Sequence, residues 1–298
     1  MKNLGALVKR NMKLFFKDRA LFFVAMISPM VLLVLFVSFL GSVYKGTFTD
    51  IFTSMGVTVE EGLLSGAVMT YLVASLLSVS CVTVAFCCNV MSIQDKINGV
   101  AEDFKATPVK KATLAMSYFV ATFLVSVLIC LIILGLALVV LAMMGQFNFS
   151  FGEVMLSVLD VVILSLFGTV LSSIICHFCS SQAQMGAITG IISSCYGFLC
   201  GAYMPISQFA AGIRGIISVL PGTFGTSLLK NHLLSGSLAK MAEGGVPGEA
   251  VDGIRSAFDL KLEAFGGNIE QTTMYLVLVV AIVVLSVVFV VLSTRKKK

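Results

Sequence analysis

Residues 161–213 read VVILSLFGTVLSSIICHFCSSQAQMGAITGIISSCYGFLCGAYMPISQFAAGI, a run of 53 positions without one Asp, Glu, Lys or Arg. A helix needs about 20 apolar residues to cross a bilayer. Taken back past Asp160 to Val154, the run holds two spans, with the polar stretch His177 to Gln184 as the turn between them. Further charge-free stretches at 20–44, 62–94, 112–152 and 271–294 are each long enough for one more. The sequence therefore predicts six transmembrane helices, at about 21–43, 64–92, 113–143, 154–177, 185–204 and 273–293. Composition agrees, because 58% of the 298 residues are hydrophobic and only 12% are charged, half the charged share of a soluble globular domain. The expectation is an all-α integral membrane protein with a single membrane domain over 1–298.

Orientation follows from the 20 Lys and Arg. Six precede the first span, four (Lys96, Lys105, Lys110, Lys111) lie between the second and third, and four close the chain as Arg295, Lys296, Lys297 and Lys298. The other six (Lys45, Arg214, Lys230, Lys240, Arg255, Lys261) are scattered. Basic residues crowd the cytoplasmic ends of spans, so both termini are expected in the cytoplasm of a multi-pass plasma-membrane protein. A cleaved signal peptide would need a shorter apolar run and a small-residue cleavage site; the first helix is expected to stay.

Two His residues, no His-Glu-x-x-His helix and no Gly-x-x-x-x-Gly-Lys-Ser/Thr loop argue against zinc chemistry and self-contained nucleotide hydrolysis. No catalytic residue and no metal ligand is assigned, and nothing suggests nucleic-acid binding. The eight Cys lie in or beside apolar blocks, where a thiol packs as a small hydrophobe.

Residues 1–19 form an amphipathic pattern. At about 100° per residue, Leu4, Leu7, Val8, Met12, Phe15 and Phe16 share one half of the wheel, and Lys2, Lys9, Arg10, Lys13 and Lys17 share the other. This suits a helix lying along the cytoplasmic leaflet in contact with lipid, and equally a simple topology signal. The loop 93–111 mixes charges. Gly99 permits a tight turn, Pro108 ends any helix before it, and Phe104 sits among Asp103, Lys105 and Glu102, as a docking helix or a solvated loop would have it. Beyond the fifth span, 205–235 is too apolar for a solvated loop and too broken by Gly212, Gly215, Pro221, Gly222 and Gly225 for a span. An outer re-entrant helical hairpin fits it, since irregular backbone at membrane depth must be buried in protein or line a cavity. Residues 236–272 read as an extracellular loop.

The loop between helices 2 and 3 resembles the cytoplasmic coupling segment of type-2 ABC transporter permeases. Asp95, Lys96, Gly99, Glu102, Thr107, Pro108, Val109 and Lys110 match that pattern in order, with Asp95 where Glu is usual, Ile97 in place of a second acid and Val100 where Thr often follows the Gly. Gly201-Ala202-Tyr203-Met204-Pro205 and later Leu220-Pro221 are similar to that family's Gly-x-x-x-Pro and Leu-Pro, which mark its outer re-entrant pair. The resemblance implies an exporter permease without enzymatic activity. An ABC ATPase subunit carrying ATP and Mg²⁺ would dock on Asp95, Lys96, Gly99, Glu102, Asp103, Phe104, Thr107 and Pro108 and on the interface helix (Lys9, Arg10, Lys13, Phe15, Lys17). A second permease subunit, identical or not, would complete the dimer, and Tyr203, Pro205 and Pro221 would form an outer gate. A secondary transporter or channel is the alternative.

Helix 5 carries Gly186, Gly190, Ser194, Gly197 and Gly201 at three- and four-residue spacing, one smooth face that either packs within the chain or forms a subunit interface. Asp160 is the one acid inside a span, where a charge costs about 2.5–3.5 kcal/mol. It can reach the interface, pair with Arg214 or face a wet cavity. Tyr71, Ser75 and Ser78 on helix 2 either line a path or hydrogen-bond locally.

Overall fold

The computed structural model of the protein describes residues 2–107, 109–264 and 267–294. Helix α1 (Lys2–Lys17) leads into a helical rod formed by α2 (Arg19–Leu35), a π turn at Phe36–Leu40 and α3 (Gly41–Ser54). Asp18 separates the two because its carboxylate accepts the amides of Ala20 and Leu21, an N-cap that satisfies donors otherwise left unpaired at a helix start. The chain then forms α4 (Glu61–Ile97), the short α5 (Val100–Lys105), α6 (Lys111–Met143), α7 (Phe151–Phe178) and α8 (Gln182–Leu199). Ser150 and Glu153 open α7 with a reciprocal capping box. Next come α9 (Ala211–Ile217), α10 (Pro221–Glu243), α11 (Gly248–Ala257), a small antiparallel hairpin of β1 (Glu263–Ala264) and β2 (Gly267–Asn268), and α12 (Gln271–Thr294).

Among the described residues, five helical stretches are long and apolar enough to cross a membrane: Arg19–Ser54, α4, α6, α7 and α12. The expected fifth span appears as α8, which ends at Leu199 rather than 204 and falls outside that set. Its Gln182, Gln184 and paired serines dilute the apolar content.

Helix α4 is the axis. It packs against α2, α3, α6, α7, α8 and α10, and its membrane-depth stretch is entirely buried. Some of its polar residues are satisfied within the helix, since Thr70 donates to the Gly66 carbonyl and Ser80 to that of Leu76. Helices α2, α6 and α12 form the rim and expose residues such as Phe23, Val34, Leu128, Ile132, Val283 and Val287, as surfaces facing lipid rather than water do.

A close helix approach is set by Gly168 on α7, where an added Cβ would lie 2.8 Å from Val82 Cα and 2.9 Å from the Cys81 carbonyl oxygen. Both atoms are α4 backbone and cannot turn aside, so only a small residue permits this contact. We expect Gly168→Leu to push α4 from α7 and destabilise the fold by at least the ~1–3 kcal/mol of ordinary overpacking. The midpoint of thermal unfolding in detergent measures it; a midpoint equal to wild type would contradict the packing described.

Residues 236–272, expected as an extracellular loop, hold regular helix and buried side chains. Helix α10 continues through Glu243, with Leu238 and Met241 buried. Beyond it, Ala250, Val251, Ile254, Phe258, Leu260 and Leu262 are buried too. Of the glycines that suggested broken structure, Gly222 and Gly225 are approach points, where added Cβ atoms would strike the Tyr196 hydroxyl and the Leu164 side chain, whereas Gly212 and Gly215 have open space there.

Candidate functional site

Two polar clusters sit at opposite ends of the bundle. The first lies at the basic end, where α1 and α5 meet the ends of α4 and α6. Leu7, Asn11 and Phe15 recur every fourth residue on α1 and are buried against α6, leaving Lys9, Lys13 and Lys17 exposed on another face. Arg10 reaches inward. Its guanidinium donates to Asp95 at 2.7 Å and lies over the Phe104 ring at 5.3 Å from the centroid. Asp95, itself buried, also accepts a hydrogen bond from the Tyr118 hydroxyl. Burial pulls the Arg10 pKa down, but the hydrogen bond and charge of Asp95, with help from Tyr118, outweigh it and leave the guanidinium raised. It stays cationic at any physiological pH. One side chain thereby joins four elements: α1, α4, α5 and α6.

The remaining loop residues are spread around this cluster. Gly99 adopts φ +78° at the start of α5, a left-handed conformation that glycine enters without penalty. Asp103 and Thr107 are exposed, and Thr107 donates to the Phe104 carbonyl to close the short helix. Lys96 turns toward the C-terminus of α7, donating to the Cys176 carbonyl at 3.3 Å. Pro108 and the side chain of Glu102 lie outside the described residues.

The second cluster lies toward the far end, where α8 stops and the chain runs without regular helix from Cys200 to Pro205. Gly201 takes φ +70° and the amides of Ala202 and Tyr203 both donate to the Gly197 carbonyl. Three side chains from outside this segment hold its backbone and that of the residue after it. Lys230 Nζ, fully buried, donates to the Gly201 carbonyl at 2.7 Å and to the Tyr71 hydroxyl at 3.2 Å. Tyr44 donates to the Tyr203 carbonyl at 2.9 Å, and Asp259 accepts the Ile206 amide at 2.8 Å. Pro205 is buried beside them, Pro221 opens α10, and the Tyr203 ring packs on Phe36 and Phe198.

Tyr71, Ser75 and Ser78 are wholly buried inside the chain. Tyr71 contacts Lys230, and the Ser78 hydroxyl donates to the Ser75 carbonyl. Asp160 pairs with His232 rather than Arg214: its carboxylate meets His232 Nδ1 at 2.6 Å and accepts from the Tyr275 hydroxyl. Sequence spacing gave no sign of a partner 72 positions away on α10.

The α8 face divides in two. Gly197 is covered by the Tyr203 ring and Gly201 by Ile206, whereas Gly186 and Gly190 have open space where a Cβ would stand. With Ser194, Ile191 and Cys195, these two leave half the helix exposed.

A helical bundle with five helices long and apolar enough to cross a membrane, a basic amphipathic helix docked at one end and a buried irregular segment at the other is that of a multi-pass membrane protein. The chain matches the ABC-2 type transporter family over residues 2–233 and belongs to it. It is the permease component of an ABC transporter, a family whose permeases work with an ABC ATPase subunit. No curated protein matches the chain closely.

Proposed function

We propose that this permease is the membrane half of an ATP-driven exporter in the plasma membrane, with α1, α5 and both termini in the cytoplasm. Six spans cross the bilayer, α8 being the fifth, and the segment from Cys200 through α10 dips back from outside. ATP and Mg²⁺ are held by a separate ATPase that docks against α5 and α1, and two permease chains, identical or related, pair along the open Gly186–Gly190–Ser194 face. The observation that carries this reading is the Arg10 cluster. A push on α5 reaches α1, α4 and α6 through one guanidinium, and α4 is the helix to which the buried far-end segment is anchored through Tyr71 and Lys230. ATP binding does work here only by favouring one arrangement of these helices over another.

Isolation of the chain from its native membrane in mild detergent tests this. A stoichiometric ATPase is expected to accompany it and to be lost with Phe104→Ala, which strips the α5 ring from beneath Arg10. A chain that retains no nucleotide-binding partner would overturn the exporter reading. The secondary-transporter alternative has one specific support, the buried Asp160–His232–Tyr275 group, since intramembrane ionisable clusters mark proton paths. It requires transport driven by a proton gradient without ATP.

A further inference from the structure

A groove of about 790 Å³ runs along α1 on the side that the bundle leaves open, within the ~300–1,000 Å³ range of ligand pockets. Leu7, Asn11 and Phe15 are buried against the bundle, which narrows the broad apolar half of α1 to a strip of Leu4, Val8, Met12 and Phe16. These four, with Val120 of α6, make the apolar wall of the groove. Gly5 leaves a gap in that wall, since an added Cβ there would meet nothing within 4 Å. From Leu4 to Phe16 the strip is about 18 Å long at the helical rise. That is close to the ~15 Å acyl layer of a single leaflet.

The rim of the groove is basic. Lys9, Lys13 and Lys17 line it at four-residue spacing, so successive stems leave α1 about 6 Å apart along the axis. All three are exposed, and a lysine stem lies on apolar surface while its ammonium reaches the headgroup layer. No acid among the described residues lines the groove. Residues 1–17 contain none, and the Asp18 carboxylate caps α2 through the amides of Ala20 and Leu21. Arg10 does not share this side. It stands about 200° round the helix from Met12 and reaches Asp95 and Phe104 instead.

We propose that this groove binds one anionic phospholipid of the leaflet at the basic end, its phosphate between the Lys9 and Lys13 ammoniums and an acyl chain along Val8, Met12, Phe16 and Val120. Basic segments at a membrane surface attract anionic lipid in general. A row of solvated lysines alone would hold it without a fixed position, whereas the apolar wall beside them seats one chain. The assignment stands apart from the exporter reading, because it needs neither an ATPase nor a second permease and leaves the Arg10 side of α1 open.

Native mass spectrometry of the purified chain, after exchange into detergent supplemented with phosphatidylglycerol and phosphatidylcholine in equal amounts, tests this. Wild type is expected to keep one phosphatidylglycerol with roughly tenfold preference over phosphatidylcholine, the equivalent of about 1.4 kcal/mol. The Lys9→Gln, Lys13→Gln double variant loses that preference. The Lys110→Gln, Lys111→Gln double variant, which removes equal charge from exposed positions at the start of α6, keeps it. Gly5→Trp fills the gap in the apolar wall without changing a charge and is expected to lose the bound lipid, so the question is decided even if the Lys9 and Lys13 variant fails to fold. Equal retention of the two lipids by wild type overturns the proposal, as does undiminished preference in the folded Lys9 and Lys13 variant or in Gly5→Trp. An equal loss in the Lys110 and Lys111 variant would reduce the effect to net charge and overturns it as well. Retention of no lipid by wild type also overturns it and leaves the groove to a protein partner.

Discussion

Arg10→Ala is expected to lower permease-stimulated ATP turnover of the assembled transporter about tenfold. The substitution removes a charge-assisted hydrogen bond of 2.7 Å to Asp95 and the cation above Phe104. Hydrogen bonds to charged groups contribute about 1.5–3 kcal/mol. Because the Arg10 side chain is 29% exposed, solvent screening holds the value to the lower end, and about 1.4 kcal/mol is a factor of ten. Lys at this position is expected to recover little, since an ammonium is a compact point charge without the planar fork that reaches carboxylate and ring together. Asp95→Asn removes the same link from the other side. The double variant should therefore resemble either single one rather than multiply their effects, which is the signature of side chains acting as a pair. Turnover in Arg10→Ala equal to wild type, with the ATPase still bound, would remove Arg10 from the coupling path.

Why α5 needs such a brace follows from its length. Six residues cannot hold a helix in water, because nucleation fixes several residues for one hydrogen bond. Gly99 turns the chain, Thr107 closes the last turn, and Phe104 gives Arg10 a surface to lie on. The sequence made the loop legible through its residue types. It could not reveal that Arg10, 85 positions before Asp95 in the reverse direction, was the partner, because a wheel projection of α1 counts Arg10 among the solvated cations. What distinguishes it is Asn11, Leu7 and Phe15, whose burial turns α1 so that Arg10 points at α4.

Five of the six expected spans were legible because charge-free length is a strong signal. The segment after α8 was legible only in part. Apolar content and glycines in 205–235 implied irregular backbone at depth, whereas the buried irregular stretch, Gly201 to Pro205, lies where the end of the fifth span was expected. Yet the same glycines concealed α10, a helix of 23 residues, since Gly222 admits the Tyr196 hydroxyl and Gly225 admits Leu164. A glycine at a helix crossing and a glycine at a helix break look alike in one sequence. The open half of α8 could not be read either: repeat spacing shows a smooth face, and only the position of Tyr203 shows which glycines it covers.

Lys230→Met carries the second large expectation, a loss of about 3–5 kcal/mol, the cost of removing one partner from a buried ion pair. Methionine keeps the volume of the lysine stem but leaves four groups without their donor or countercharge: the Gly201 and Phe258 carbonyls, the Tyr71 hydroxyl and the Asp259 carboxylate 3.9 Å away. Burial already pushes the Asp259 carboxyl up, against the pull of Lys230 and the amides of Ile206 and Ser207. Without Lys230 it rises further. A carboxyl whose folded value lies above its unfolded one favours the fold when protonated and loses that contribution as pH climbs through the folded value. The deficit of Lys230→Met relative to wild type is therefore expected to be largest at neutral pH and to narrow as the buffer is made acidic. Lys230→Met combined with Asp259→Asn should recover part of the loss at neutral pH, because the uncompensated charge is gone while the amide still accepts from the Ile206 N–H. Thermal unfolding in detergent as a function of pH measures all three proteins. A deficit that is flat with pH, with no recovery in the double variant, would mean that Lys230 serves as packing alone, and that the irregular segment from Cys200 to Pro205 is held at depth by Tyr44 and its own Gly197 turn.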